Sequence, residues 1–300
     1  MSMINEIDSP VQNGNRYAIL EQLQSVTDLP TLPTVFLNIM RLMRDPDTPI
    51  KEVAKVVESD PAIAMKLLRL INSSFYGLAR TVDSVHQAIV LLGANALKNV
   101  VISVSIFKTM NSQGKSSTIF NREAFWLHSI GCGLAARCLG KRLDFERDEE
   151  GFIAGIIHDI GKVVLDKYFH DELAAVVDQV RQKEISFYQA EQEVLGISHA
   201  EIGALLAENW KLPEKLVEVI DRHHNFNPDS ESANLTALIQ VSDMVARRYR
   251  IGSGGDDLIP DVDPLVWQHL NLTPDDLETW DEELRAELDK SKEMQDLIFS

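Results

Sequence analysis

The sequence predicts an all-α fold, and three observations carry that prediction. Apolar residues recur at spacings of three and four in almost every segment. Ser, Thr, Asp and Pro stand where those segments begin, and Gly or Pro where they end. Beyond short ambiguous runs, no segment alternates apolar and polar residues as a strand would. Residues 1–22 read as an extension, and 23–110 as a compact stack of short helices. Residues 32–43 carry Val35, Ile39 and Leu42 on one stripe, with Pro33 in the first turn and Asp45-Pro46-Asp47 as the stop. Thr48-Pro49 opens a helix over 50–58, and Ser59-Asp60-Pro61 opens another over 62–72, whose apolar side is Ile63, Leu67, Leu70 and Ile71. After a turn at 73–77, Ser84 caps residues 86–92; Gly93 closes that helix and 94–107 forms the next.

The polar segment 111–117, with Gly114, reads as a linker to a second helical part over 111–250. Helices are predicted there at 122–139, 148–167, 171–183, 186–195, 200–210, 214–223 and 233–249. Ser198 and Glu201 fit a capping box at the start of one of them. Residues 252–257, Gly-Ser-Gly-Gly-Asp-Asp, read as a flexible break. An acidic extension over 251–300 ends in one amphipathic helix at 275–297, with Trp280, Leu284 and Leu288 in line.

Composition narrows the function. The 300 residues are 45% hydrophobic, enough for a sizeable core. A formal charge of -17 and a pI near 4.9 argue against binding a nucleic-acid polymer, which needs a basic face. Small anionic ligands stay open if a metal or local lysines supply the positive charge. The longest apolar stretch, 99–107, is well short of the roughly 20 residues that span a bilayer. Residues 1–15 carry no secretory pattern, so a cytoplasmic protein without membrane insertion is expected. Cys132 and Cys138 lie in one helix and read as small packing residues.

The sharpest local signal is His158-Asp159 inside the apolar run Gly-Phe-Ile-Ala-Gly-Ile-Ile-His-Asp-Ile-Gly-Lys, because burying either side chain unpaired is costly. A bound cation would remove that cost. Further ligand-type residues follow the same order along the chain: His128 before the pair, then His199, His223-His224 and Asp243 after it. His128 shares a helix face with Gly131, Cys132 and Ala135, small residues that let another helix approach. On one continuous helix His158 and Asp159 would stand about 100° apart, with the carboxylate free to bridge two ions. Lys162, one turn on, would meet a phosphate oxygen beside them. Each residue also has a plainer reading. A helix-borne histidine is often a hydrogen-bonded core residue, His223 and His224 suit a helix C-terminus, Asp243 could pair with Arg247, and Glu201 is assigned to capping. One metal site accounts for all seven ligand-type residues together; His86, His170 and His269 fall outside it. Nitrogen and carboxylate ligands suit iron first, and manganese, zinc or nickel as well.

This series resembles the HD superfamily of metal-dependent phosphohydrolases. Leu29-Pro-Thr-Leu-Pro33, the stretch Ser59-Asp-Pro-Ala-Ile-Ala-Met-Lys-Leu-Leu-Arg-Leu-Ile-Asn-Ser-Ser-Phe-Tyr-Gly77 and Ala88-Ile-Val-Leu-Leu-Gly93 narrow the resemblance to the HDOD family, a bacterial signalling domain related to HD-GYP phosphodiesterases, over roughly residues 23–248. The resemblance implies a multi-helix HD-type bundle behind the stack of short helices. It also implies two divalent transition-metal ions. His128, His158, Asp159 and Asp243 would hold one; Asp159, His199, His223 and His224 would hold the other. Lys162 matches the lysine of the HD-x-GK motif, so Lys162 and Asp159 are the implied catalytic residues. Asn225 stands where HD-GYP enzymes carry a glutamate, the Gly-Tyr-Pro loop is absent, and Ala124 offers no carboxylate for a third ion. HDOD domains often lack much of this ligand set and act as regulatory modules, whereas this chain keeps it. Three functions follow: a metal-holding signalling module whose partners are signalling proteins or a small phosphorylated ligand, a metal-dependent phosphohydrolase acting on a cyclic nucleotide or other phosphoester, and a metal-free interaction scaffold.

Overall fold

The structure, a computed structural model, describes residues 10–25, 34–42, 48–73, 76–111, 119–145 and 148–299. Pro33 with the motif at 29–33, the stop at 45–47, residues 74 and 75 of the turn, and the linker at 112–118 lie outside the described residues. Every regular element among the described residues is an α-helix. None is long and apolar enough to cross a membrane.

The first half runs α1 (Pro10–Ser25), α2 (Thr34–Leu42), α3 (Ile50–Glu58), α4 (Pro61–Ile71) and α5 (Val85–Asn111). Its start signals act as read. The Asp60 carboxylate accepts hydrogen bonds from the Ala62 and Ile63 amides at 3.0 and 3.1 Å, while Pro61 occupies the first turn, where no amide proton is needed. Ser84 Oγ accepts from the Gln87 amide at 3.2 Å. Gly93, at φ 84° and ψ 161°, breaks α5 into two pieces, a backbone state that only glycine adopts cheaply. Ile63, Leu67, Leu70 and Ile71 all point into the core shared with α3 and α5.

The second half is built around α6 (Arg122–Arg142), a helix buried on nearly every side from His128 to Gly140. Around it and beyond it lie α7 (Asp148–Ile157), α8 (Ile160–Tyr168), α9 (His170–Lys183), α10 (Phe187–Val194), α11 (His199–Asn209), α12 (Glu214–Arg222) and α13 (Ala233–Arg248). Helices α6 and α7 touch backbone to backbone: a Cβ added at Gly155 would sit 2.5 Å from the Gly133 amide nitrogen. Gly131 instead faces α13 and Ile251, so the small residues of α6 admit two neighbours, not one. Helices α8 and α11 meet as closely, with the His199 carbonyl standing where a Cβ on Gly161 would be.

Three expectations are corrected. The helix predicted over 148–167 is broken: α7 ends at Ile157, His158 and Asp159 form a turn, and α8 begins at Ile160. Residues 252–257 are no free break but a bent strap packed on the second half, where Ser253 N donates to Ala124 O at 3.0 Å and Gly252 abuts the His128 backbone. The single acidic helix at 275–297 is three, α15 (Pro274–Thr279), α16 (Asp281–Leu288) and α17 (Ser291–Phe299), preceded by α14 (Pro264–Leu270). They are not a free tail. Leu284, Leu288 and Met294 are buried, and the pieces bend around α6, where Arg137 and Arg142 pair with Glu287 and Glu283. A straight helix would have carried its second half away from that surface.

Candidate metal centre

Two of the histidines end the helices that carry them. His158 follows the last residue of α7, and its ring Nδ1 donates to the Gly155 carbonyl at 2.7 Å. His223 follows the last residue of α12, and its Nδ1 donates to the Ile220 carbonyl at 2.8 Å. In both, the side chain three residues on takes up a carbonyl that the terminating helix leaves without an amide. The acceptor is a carbonyl, so Nδ1 carries a proton and Nε2, in the neutral ring, has its lone pair aimed inward. The same device stops the helix and aims the ligand atom. His199 opens α11 behind the Ser198–Glu201 capping box, and its Nδ1 faces the buried Glu191 carboxylate at 2.6 Å. His128 comes from the middle of α6 and Asp243 from α13.

The inward atoms converge on Asp159. Its Oδ1 lies 2.9 Å from His199 Nε2 and 3.5 Å from His223 Nε2. His199 Nε2 is in turn 3.2 Å from His223 Nε2 and 3.1 Å from His224 Nε2. Its Oδ2 faces the other way, 3.4 Å from His158 Nε2 and 4.0 Å from His128 Nε2. Asp243 Oδ1 closes that side at 2.9 Å from His128 Nε2 and 4.0 Å from His158 Nε2. The seven residues singled out in the sequence are thus brought to one place. Six of them form two groups that can hold a metal ion, Asp159 with His199, His223 and His224, and Asp159 with His128 and His158; the two share one carboxylate, and Asp243 lies beside the second group.

The donor set fits cations. His128 Nε2, His158 Nε2 and Asp159 Oδ1 are buried with no hydrogen-bond partner among the described residues. The charged side chains of the centre are four carboxylates, Asp159, Asp243, Glu191 and Asp256, against two cations, Lys162 and Arg247, all with their charged ends largely buried. Before any histidine is protonated, two negative charges remain, which a low-dielectric interior does not tolerate. The titration of the groups reflects this. Burial opposes the charged form throughout, but the Asp159 carboxylate outweighs it at His158, whose imidazole is held well above its usual range. Burial is likewise overcome at Asp159, kept ionised by His158 and Lys162, and at Asp243, kept ionised by Arg247 and His128. At His223 burial wins and pulls the imidazole down to about 4; His224 is lowered too. With no cation present, protons on His158 and His199 offset the excess charge, and a divalent ion would displace them.

Lys162 stands one turn beyond Asp159, beside both groups, and is engaged there. Only 1% exposed, its Nζ donates to Asp159 Oδ2 at 2.6 Å and to the Gly254 carbonyl of the strap at 2.7 Å. Arg247, read earlier only as a partner for Asp243, bonds Asp243 at 2.9 Å and Asp256 at 2.7 Å. Asp256 also accepts from the Phe187 amide at 2.9 Å, tying the strap to α10. A cleft of about 420 Å³ reaches Lys162, His224 and Asp243 between Phe187, Tyr188 and the strap. His86 and His170 are exposed, and His269 bonds Asn234, all away from the centre. Glu191 and the strap were missed by sequence reasoning. Glu191 left a signal, a carboxylate four residues after Phe187 on the buried face of α10; the strap left none, since glycine-rich runs read as loops whatever they pack against.

Comparison with known proteins agrees with the all-helical fold. The family model for the HDOD domain matches residues 29–226. An HDOD-domain protein of Geobacter sulfurreducens superposes with a TM-score of 0.77 at 26% identity, covering 93% of this chain and 98% of its own. A candidate phosphohydrolase of Shewanella amazonensis SB2B gives 0.72 at 26% identity, covering 92% and 97%. A Treponema pallidum (strain Nichols) protein is 27% identical over 224 residues, 74% of this chain; the match spans 43% of that relative.

Proposed function

The chain belongs to the HDOD family, and from that premise we propose that it is a bacterial signalling protein whose second half holds two divalent transition-metal ions, iron foremost, at the Asp159 centre. His128, His158, Asp159 and Asp243 would hold one ion, and Asp159, His199, His223 and His224 the other. The observation that carries the reading is the convergence of three imidazole Nε2 atoms within 3.1–3.2 Å contacts beside Asp159 Oδ1. At His223 the proton sits on Nδ1, so its Nε2 lone pair meets that of a neighbour at repulsive range unless a proton or a cation lies between. The signalling role is supported by the state of the two cations. Lys162 and Arg247 are already paired with Asp159, Asp243 and Asp256 and bonded to the Gly254 and Leu258 carbonyls, so neither side chain stands free to receive a phosphate.

The cleft of about 420 Å³ favours a second reading, a phosphohydrolase acting on a cyclic nucleotide or other phosphoester. Paired ions supply an acidified water and charge stabilisation on phosphate. In this chain Asp159 would fix their spacing, Phe187 and Tyr188 would limit water entry, and Lys162 would have to exchange the Gly254 carbonyl for a phosphate oxygen. One experiment separates the readings. Protein purified without oxygen is expected to carry close to two metal ions per chain by elemental analysis, with at least one lost in His158→Ala and in Asp159→Ala. The loaded protein is then assayed on cyclic mononucleotides, cyclic dinucleotides, guanosine polyphosphates and simple phosphodiesters. Turnover that disappears in both Lys162→Ala and Asp159→Ala establishes the enzyme; bound metal without turnover favours the signalling module; metal-free protein under several growth conditions sinks both.

A further inference from the structure

Glu191 lies outside the predicted ligand set, yet it is a fully buried carboxylate turned toward one of those ligands. It sits on α10 with 0% exposure. Its Oε2 accepts from the His199 amide at 3.0 Å and stands 2.6 Å from His199 Nδ1, while Oε1 has no hydrogen-bond partner among the described residues. A buried carboxylate held by a single residue is expensive unless that residue needs it.

The three histidines whose Nδ1 can be traced differ in what stands behind them. His158 and His223 donate to neutral backbone carbonyls, of Gly155 and Ile220. His199 alone faces a full negative charge. A carboxylate behind an imidazole fixes its tautomer and orientation and makes the opposite nitrogen a stronger donor, and it adds a charge that helps balance a cation. The ring so held is also the hub of its group, since His199 Nε2 contacts Asp159, His223 and His224. The neighbouring group of His128 and His158 has no counterpart: His128 Nδ1 has no hydrogen-bond partner among the described residues.

We propose that Glu191 is a positioning residue that orients and strengthens His199, and that it makes the Asp159–His199–His223–His224 group the tighter of the two cation sites. The assignment rests on the metal reading above. It makes the two sites unequal in a defined order, so a chain short of metal fills the His199 group first. It also explains the construction of the turn between α10 and α11, which returns the chain within eight residues so that Glu191 lies behind the ring it serves. The amino-terminal helix is fastened to that turn, with Asn15 donating to Val194 O at 2.9 Å and Arg16 to Gly196 O at 3.0 Å.

The test is a titration of the metal-free full chain with Zn²⁺ in competition with a chromophoric chelator. Wild type should show two classes of site. Glu191→Gln, which keeps the shape and an acceptor oxygen but removes the charge, should weaken the tighter class ~10- to 100-fold and leave the other in place. In a His128→Ala background, where only the His199 group remains, the same substitution should shift the single remaining class. Two classes unchanged by Glu191→Gln, or both weakened equally, overturn the role of Glu191 while leaving the metal site standing. A wild type that binds no ion overturns both. Should Glu191→Gln fail to fold, nitrogen-15 NMR of wild-type histidines gives the answer without a variant. The Nδ1 proton of His199 should resonate downfield of those of His158 and His223, and an equal position overturns the proposal.

Discussion

Asp159 gives one oxygen to each group of histidines, and Lys162 lies against the second of those oxygens. The lysine is therefore first a counter-ion, buried with the carboxylate and pinned by the Gly254 carbonyl. Lys162→Met keeps the aliphatic stem and removes the charge, leaving a centre whose negative excess grows by one. Losing one partner of a buried pair costs ~3–5 kcal/mol, so the metal-free variant should melt well below wild type. Bound cations supply the missing charge, so the gap should narrow in the metal-loaded proteins. Thermal melts of both proteins, with and without Zn²⁺, check this. An unchanged metal-free melt would mean that Lys162 is not a structural counter-ion and would restore it as a free phosphate contact.

At the scale of elements, the histidines are placed by where helices stop and how closely they cross. The sequence made the ligand types and their order legible, because histidine and aspartate in apolar helices stand out against the burial cost. It did not make the break at 158–159 legible, since Ile156, Ile157, Ile160 and Val163 continue the apolar pattern straight through it and the terminating contact is made by the ligand's own ring. The strap was hidden for the opposite reason: its glycines are dictated by the α6 backbone against Gly252 and by the Arg247 and Phe187 side chains against Gly254 and Gly255, which no local pattern records. Glycine also sets the crossing of α6 and α7. Gly155→Ala gains ~1 kcal/mol of helix propensity, but the new methyl falls 2.5 Å from Gly133 N and 2.6 Å from Gly133 Cα, backbone atoms that cannot turn aside. Overpacking of this kind costs ~1–3 kcal/mol. The variant is expected to melt lower than wild type and to lose metal from the His128–His158 group before the other, because separation of these two helices parts His128 from His158, whereas the other group shares only Asp159 with them. A variant that melts higher, or loses both ions together, would show that the crossing does not set the site.

For the whole molecule, the carboxy-terminal helices α16 and α17 pack on α6, and their charges meet it. Arg137, itself buried, pairs with Glu287; Arg142 pairs with Glu283; and Gln295 Nε2 donates to Glu123 O at 2.6 Å. Burial alone would raise the Glu287 carboxyl, but Arg137 and Lys290 outweigh it and hold it below its ordinary value. The sign of the pH dependence follows. A carboxyl depressed in the folded state contributes stability that is fully present above its unfolded value, about 4.3, and disappears as the pH falls through the folded value. Glu287→Gln removes that contribution at neutral pH, by roughly 1–3 kcal/mol for a charge-assisted bond of this kind. The wild-type advantage in urea unfolding should therefore be full at pH 7 and shrink below pH ~4. An advantage of the same size at both pH values would mean that the pair does not fasten these helices electrostatically. Their hold on α6 would then be the apolar burial of Leu284, Leu288 and Met294 alone.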